Sequence, residues 1–206
     1  MKLVGAIIII ALGIMLPLIK FYQRSNWTKK QRVINILLFS FLCFLIHAPL
    51  HEFCHFISGK LMRVDILDYQ FFSRLSFTNF QSAYVSFGEW TTRQSFIITI
   101  APYTKDIIFA FAGFLILKRK QINSSFLVGL IFSIGLLLSA FNIFENLLGY
   151  LNGVGDWNRL SKAIGHFWTL FIGITTLGTT LFLTYRIFQL YKGFPEKTNS
   201  DTDKEV

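Results

Sequence analysis

The sequence predicts an all-α polytopic membrane protein of about five transmembrane helices, with a short β-rich loop after the second span. Apolar residues make up 53% of the 206 residues and charged residues only 15%, whereas soluble domains carry about 25% charged residues. Five apolar stretches are each long enough to cross a hydrocarbon core of ~30 Å as a helix. This composition excludes a disordered chain, a collagen and a disulfide-rich secreted module.

The predicted spans follow one another along a single domain. They cover residues 3–19, 33–57, 95–117, 126–151 and 166–191. The first follows Lys2 and has the character of a secretory signal, but no small-x-small cleavage site comes after it, so we expect a retained span. Residues 1–191 then form one integral-membrane domain, and residues 192–206 form a polar tail that we expect to be disordered.

The net charge of +9 is concentrated beside the apolar stretches. Residues 20–32 and 118–123 contain only basic charges, which predicts that these two connections are cytoplasmic, the N-terminus outside and the C-terminus inside. No basic patch with interleaved aromatic residues stands apart from the spans, so we do not expect a nucleic-acid partner. The small size and the lack of extra domains suit a bacterial inner membrane.

The connection after the second span, residues 64–90, differs in composition from the other connections. It is rich in aromatic and β-branched residues, and Val85-Ser86-Phe87 alternates in polarity. This pattern indicates two or three short strands, with a hairpin at the membrane surface as one arrangement. The same aromatic residues are equally compatible with an interfacial belt.

The end of the second span carries the strongest chemical signal, the H-E-x-x-H pattern His51-Glu52-Phe53-Cys54-His55. On a helix, His51 and His55 lie one turn apart on the same face, so both imidazoles can reach one metal ion. Zinc held in this way lowers the pKa of water to about 7. Glu52 lies beside that face, where it can accept a proton without being a ligand. The alternative is a turn that has left the bilayer and is simply solvated.

A catalytic zinc site needs a third protein ligand, and Asp156 is the best placed carboxylate. It follows a glycine-rich break, residues 152–155, at the end of the fourth span. The charge-derived topology puts the ends of the second and fourth spans on the same side, so Asp156 falls at the membrane depth of the two motif histidines. Alternatively, Asp156 caps a short helix. His47 lies one turn before the motif, across Pro49, and we expect a hydrogen-bonding neighbour rather than a ligand.

Two further groups of polar residues lie inside predicted spans, where such residues are candidates for function. Lys105, next to Asp106 in the third span, is a candidate for stabilising an oxyanion or for pairing with Glu145; the alternative is a hydrated kink at Pro102. The fourth span carries a polar stripe that can bind a substrate peptide or join helices by hydrogen bonds. Its members are Asn142, Glu145 and Asn146.

Taken together, these motifs resemble the site-2-protease-like intramembrane zinc metalloproteases over roughly residues 47–160. The family pattern joins H-E-x-x-H to a strand-containing loop, an Ala-Gly-Pro motif, and an Asn-x-x-Pro motif followed by a ligand Asp-Gly. The matching segments here are Ile100-Ala101-Pro102, Asn146-Leu147-Leu148-Gly149 and Asp156-Trp157. Ala101 stands where the family has Gly, Gly149 where it has Pro, and Trp157 where Gly follows the Asp.

The resemblance implies an enzyme that hydrolyses a peptide bond of a membrane protein or membrane-associated peptide. His51, His55 and Asp156 would hold Zn²⁺, Glu52 would act as general base, and a strand of residues 64–90 would align the substrate. Two other interpretations stay open. One is a non-catalytic membrane protein with a degenerate metal site that acts as a partner or regulator. The other is a cation transporter subunit that uses His47, the motif histidines and Glu145.

Overall fold

The computed structural model describes residues 2–25, 27–75 and 80–192. The chain is mainly helical: α1 spans Lys2–Gln23, α2 Lys29–Leu61, α3 Thr92–Lys118, α4 Ser125–Ile131, α5 Leu138–Leu151, α6 Asp156–Ile164 and α7 His166–Lys192. A π-helical segment, Phe132–Leu137, joins α4 and α5 into one continuous helix. Of the predicted tail, residues 193–206 lie outside the described residues.

In the described part of the chain, four helices are long and apolar enough to cross a membrane, which is the architecture of a helical membrane protein. They are Lys29–Leu61, Thr92–Lys118, Ser125–Leu151 and His166–Tyr191, and they contain the predicted second to fifth spans. The predicted first span lies within α1, Lys2–Gln23. The side chains of this helix are described only from Leu12 to Gln23, which is shorter than a membrane span. The first of the five predicted spans therefore stays a prediction.

Polar residues at the helix starts explain where the helices begin. Thr28 and Thr91 each form a capping box, with Gln31 and Gln94 respectively, and so satisfy backbone N–H groups that have no partner inside the helix. The prolines inside α2 and α3 do not end these helices. Pro102, where the sequence allowed a hydrated kink, therefore does not interrupt α3.

Helix α3 is central and packs against α2, α5, α6, α7 and the π-helical segment. It approaches the π-helical segment closely at a pair of glycines, where a Cβ built on Gly113 would lie 3.3 Å from the Cα of Gly135. Small residues at such a crossing let two helix backbones approach closely. The main apolar core lies around stacked rings of α1 and the π-helical segment, Phe21 and Phe132, with centroids 3.8 Å apart.

In its described residues, the connection between α2 and α3 contains four short strands, where two or three were expected. Strand β1, Ile66–Gln70, pairs antiparallel with β4, Tyr84–Phe87, and β2, Arg74–Leu75, pairs with β3, Phe80–Gln81. The pair of β1 and β4 packs on the end of α2, where the ring of Phe87 occupies the space that a side chain at Gly59 would need. The sheet of β1 and β4 therefore lies at the end of α2 that carries the H-E-x-x-H motif.

Candidate metal centre

Helix α2 brings the two motif histidines to the same buried position. Both His51 and His55 are buried, as expected for two residues one turn apart on the inner face of a helix. Their ring centroids are 4.8 Å apart, and their Nε2 atoms are 3.1 Å apart. The two nitrogens can thus serve one metal ion.

Asp156 reaches these nitrogens because the chain turns sharply between α5 and α6. Gly153 and Gly155 have φ angles of +74° and +86°, a region of backbone conformation that favours glycine. Asp156 is the first residue of α6. The next residue, Trp157, is fully buried and packs its ring 4.7 Å from that of Tyr103 on α3. This packing fixes the start of α6 against the bundle.

The three predicted ligand residues meet at one point. Oδ2 of Asp156 lies 2.8 Å from Nε2 of His51 and 2.8 Å from Nε2 of His55. Tetrahedral zinc with bonds of roughly 2.0–2.1 Å holds its ligand atoms about 3.3–3.4 Å apart, so an adjustment of a few tenths of an ångström would accommodate the ion. In the described part of the chain, this is the group of His, Cys, Asp and Glu side chains that could hold a metal.

The second ring nitrogen of each histidine is also held. Nδ1 of His51 lies 3.0 Å from Oδ1 of Asn142, and Nδ1 of His55 lies 2.8 Å from the carbonyl oxygen of Ile98. Metal-binding histidines in proteins usually donate their other N–H to an acceptor in this way, which turns the lone pair toward the metal. The donor set and its hydrogen bonds therefore fit a zinc site.

The charge of Asp156 suits a metal ligand. Burial alone opposes ionisation, but the imidazoles of His55 and His51 outweigh it and hold the pKa of Asp156 well below its usual range. Arg159, one turn further along α6, places Nη1 3.6 Å from Oδ1. The carboxylate is thus in the deprotonated form that metal binding requires.

Glu52 lies beside the three ligand atoms rather than among them. It follows His51 directly, and successive residues of a helix point about 100° apart. Its side chain is half-buried and lies within electrostatic range of both histidines, Asp156 and Arg159. This is the position that the motif predicts for a group that exchanges protons at the site without binding the metal.

The other predicted site residues fall into two groups. His47 lies outside the ligand triangle, where its Nε2 contacts Glu145 Oε2 at 2.8 Å. Asn142 contacts His51, and Asn146 donates from Nδ2 to the carbonyl oxygen and Oδ1 of Asn142 at 3.0 and 3.2 Å. In the polar stripe of the fourth span, Glu145 therefore contacts His47, whereas Asn142 contacts both His51 and Asn146.

Lys105 does not pair with Glu145, one of the alternatives considered for it. Its Nζ lies 2.6 Å from Oδ1 of its neighbour Asp106. The other oxygen of Asp106 accepts a hydrogen bond from Nδ2 of Asn142. Lys105 thus reaches the candidate metal centre only through Asp106 and Asn142.

Sequence reasoning did not assign two groups on α3 that line the centre, the carbonyl oxygen of Ile98 and the ring of Tyr103. The ring of Tyr103 is buried with its centroid 5.8 Å from that of His51. A signal for these residues was present, because they belong to the buried stripe of α3 that recurs every three or four residues. That stripe marks the face of α3 turned toward the motif.

No protein-family model matches the chain, and comparisons with curated proteins and with solved structures also found no match. The resemblance described from the motifs therefore stays a prediction.

Proposed function

We propose that the chain is an intramembrane zinc metalloprotease that hydrolyses a peptide bond of a membrane protein or membrane-associated peptide. The observation that carries the proposal is the convergence of His51 Nε2, His55 Nε2 and Asp156 Oδ2 within 2.8–3.1 Å of one another, in a buried site beside Glu52. Four helices of membrane-spanning length in the described chain support a membrane setting for this site. The H-E-x-x-H motif also contains Glu52, a candidate general base, which hydrolysis needs and simple metal storage does not.

Each residue has a separate role. His51, His55 and Asp156 would hold the ion, and zinc bound there would supply a Lewis acid and a water of lowered pKa. Glu52 takes a proton from the attacking water and later delivers it to the nitrogen of the departing amine. Burial of the three ligands excludes bulk water from the reacting atoms and strengthens the electrostatic interactions there.

We also propose that the substrate is held as an additional strand. Strands β1 and β4 form a two-stranded sheet, so the outer edge of β1 has no strand partner in the described residues. An extended peptide can bind such an edge through backbone hydrogen bonds. Proline substitutions along β1 or β4 should then abolish cleavage while zinc stays bound. Retained cleavage by every such variant would contradict this part of the proposal.

The setting that we propose is a bacterial inner membrane, with the N-terminus outside and the C-terminus inside. The support is the concentration of basic charge in residues 20–32 and 118–123. Cysteine accessibility in whole cells tests it. A membrane-impermeant reagent should label a cysteine introduced at Asn152, after α5, and should not label one introduced at Lys120, after α3.

The experiment that tests catalysis compares Glu52→Gln with Glu89→Gln, a change at an exposed glutamate outside the site. Zinc-loaded protein in proteoliposomes is assayed on a library of fluorogenic transmembrane peptides. We expect cleavage by the wild type and by Glu89→Gln. Glu52→Gln should bind as much zinc but cleave at least about 100-fold more slowly, because general acid–base catalysis contributes about 10²–10⁴-fold.

Two results would favour the other interpretations. Zinc binding without cleavage by the wild type would favour a non-catalytic partner or regulator. Movement of zinc across the vesicle membrane without any proteolysis would favour a cation transporter subunit. Equal cleavage by Glu52→Gln and the wild type would assign the activity to a different group or a contaminant.

A further inference from the structure

We infer that helix α3 orients both imidazoles of the candidate metal centre, through Pro102 for His55 and through Asp106 for His51. Neither residue touches the point where the three ligand atoms meet, so both are positioning residues. The consequence for metal affinity rests on the proposed function. The orientation of the rings does not, because it depends only on hydrogen bonds within the chain.

The first half of the inference concerns His55 and a missing hydrogen bond of α3. In an α-helix, the carbonyl oxygen of Ile98 would accept from the N–H of the residue four positions later. That residue is Pro102, which has no N–H. The carbonyl oxygen is thus left for another donor, and Nδ1 of His55 occupies it at 2.8 Å.

The role of Pro102 follows from what a carbonyl oxygen can do. A carbonyl oxygen only accepts hydrogen bonds, so Nδ1 of His55 must carry the hydrogen. Nε2 is then the nitrogen that faces Asp156, with which it is in contact at 2.8 Å. A proline in the interior of a helix is usually destabilising; here the bond that it removes from the helix frees an acceptor for a ligand residue.

The second half concerns His51, which α3 reaches through Asn142. An amide side chain can present either its oxygen or its nitrogen to a neighbour. Asp106 selects between them, because its oxygen Oδ2 accepts from Nδ2 of Asn142. Oδ1 of Asn142 therefore faces His51, and Nδ1 of His51 donates to it over 3.0 Å. Lys105 contacts the remaining oxygen of Asp106 at 2.6 Å.

The helix crossing supports this second arrangement. Asp106 lies two turns before Gly113 on α3, and Asn142 lies two turns after Gly135. The two glycines form the close contact between the helices. The two residues that make the hydrogen bond thus lie at the same distance along their helices from that contact, and on the same side of it. A close approach at the glycines favours a short distance between Asp106 and Asn142.

The role of Pro102 and the role of Asp106 predict changes at different histidines, so each role can be tested separately. The readout is the hydrogen-bonded Nδ1–H of each imidazole in metal-free protein labelled with ¹⁵N-histidine, measured by NMR as its rate of exchange with solvent. Pro102→Ala restores a backbone N–H that competes for the Ile98 carbonyl. We expect the exchange of the His55 Nδ1–H to rise by about tenfold and that of His51 to stay unchanged.

Asp106→Leu should give the opposite pattern. Leucine cannot accept from Asn142, so the exchange of the His51 Nδ1–H should rise by about tenfold and that of His55 should stay unchanged. Asp106→Asn keeps an acceptor oxygen and should restore slow exchange at His51. Pro17→Ala, at another proline inside a helix, is the matched control and should change neither signal.

Zinc affinity gives an independent readout. Loss of a group that orients a metal ligand usually weakens metal binding by about 10- to 100-fold, so both Pro102→Ala and Asp106→Leu should do so, with Pro17→Ala unchanged. Unaltered exchange at His55 in Pro102→Ala, or equal changes at both histidines in each variant, would overturn the inference. A wild type that shows the expected exchange pattern but binds no zinc would instead contradict the proposed function alone.

Discussion

The close crossing of α3 and the π-helical segment predicts an unusual response to a conservative substitution, Gly135→Ala. A Cβ at this position would lie 3.1 Å from the carbonyl oxygen of Phe109 and 3.3 Å from the Cα of Gly113, both tighter than ordinary contacts, which begin at about 3.4 Å. Both neighbours are backbone atoms and cannot rotate away. The two helices must therefore move apart by a few tenths of an ångström.

The expected magnitude comes from a comparison with Gly178→Ala on α7. At Gly178 an added Cβ meets nothing within 4 Å. Both substitutions gain helix propensity of up to about 1 kcal/mol, so this term cancels when the variants are compared. What remains is the cost of overpacking, about 1–3 kcal/mol. Gly135→Ala should thus have an unfolding equilibrium constant about 5- to 150-fold larger than that of Gly178→Ala.

The assay is reversible unfolding in mixed micelles with increasing dodecyl sulfate, followed by circular dichroism. Gly113→Ala, on the other side of the crossing, should be destabilised relative to Gly178→Ala as well. If Gly135→Ala is as stable as Gly178→Ala, then the helices do not approach as closely as described. In that case the distance between Asp106 and Asn142 would not depend on the glycines.

Three further predictions concern the candidate metal centre. Asp156→Asn should raise the zinc Kd by roughly 10²–10³-fold, because a zinc ligand contributes about 2.5–4 kcal/mol when the 10–16 kcal/mol of a structural site is divided among four. Asp65→Asn, at an exposed aspartate, should leave the Kd unchanged in the same titration. Gly155→Ala, at a φ of +86°, should shift the start of α6 and weaken zinc binding about tenfold, whereas Gly165→Ala, at a φ of +87° after the end of α6, should reduce stability without changing zinc affinity. His47→Gln should alter the zinc Kd less than about threefold, since His47 lies outside the ligand triangle in a partly exposed ion pair; a loss of tenfold or more in calorimetry would mean that His47 contributes to the site.

The parts of the fold that the sequence predicted are those governed by local rules. Long apolar stretches indicated the four membrane-length helices, because a helix in lipid must be apolar over about 20 residues. The H-E-x-x-H spacing placed His51 and His55 on one face. Asp156 could be predicted as a ligand because the charge pattern put the ends of the second and fourth spans on the same side of the membrane.

The parts that sequence reasoning missed depend on distances between helices. The hydrogen bond between Asp106 and Asn142 depends on how closely the two helices approach each other, a distance that the sequence does not state. The pairing of Lys105 with its neighbour rather than with Glu145 depends on which way α3 faces. The contact of His55 with the Ile98 carbonyl needed two facts together, the proline four residues after Ile98 and the approach of α2. Only the first of these is written in the sequence.

The central claim is that His51, His55 and Asp156 hold one zinc ion. The most direct test is elemental mass spectrometry of the detergent-purified protein equilibrated with zinc, combined with X-ray absorption at the zinc edge. We predict about one zinc per chain, bound through nitrogen and oxygen at about 2.0–2.1 Å with two imidazoles. Absence of zinc after equilibration, or a sulfur ligand at about 2.3 Å from the nearby Cys54, would contradict the claim.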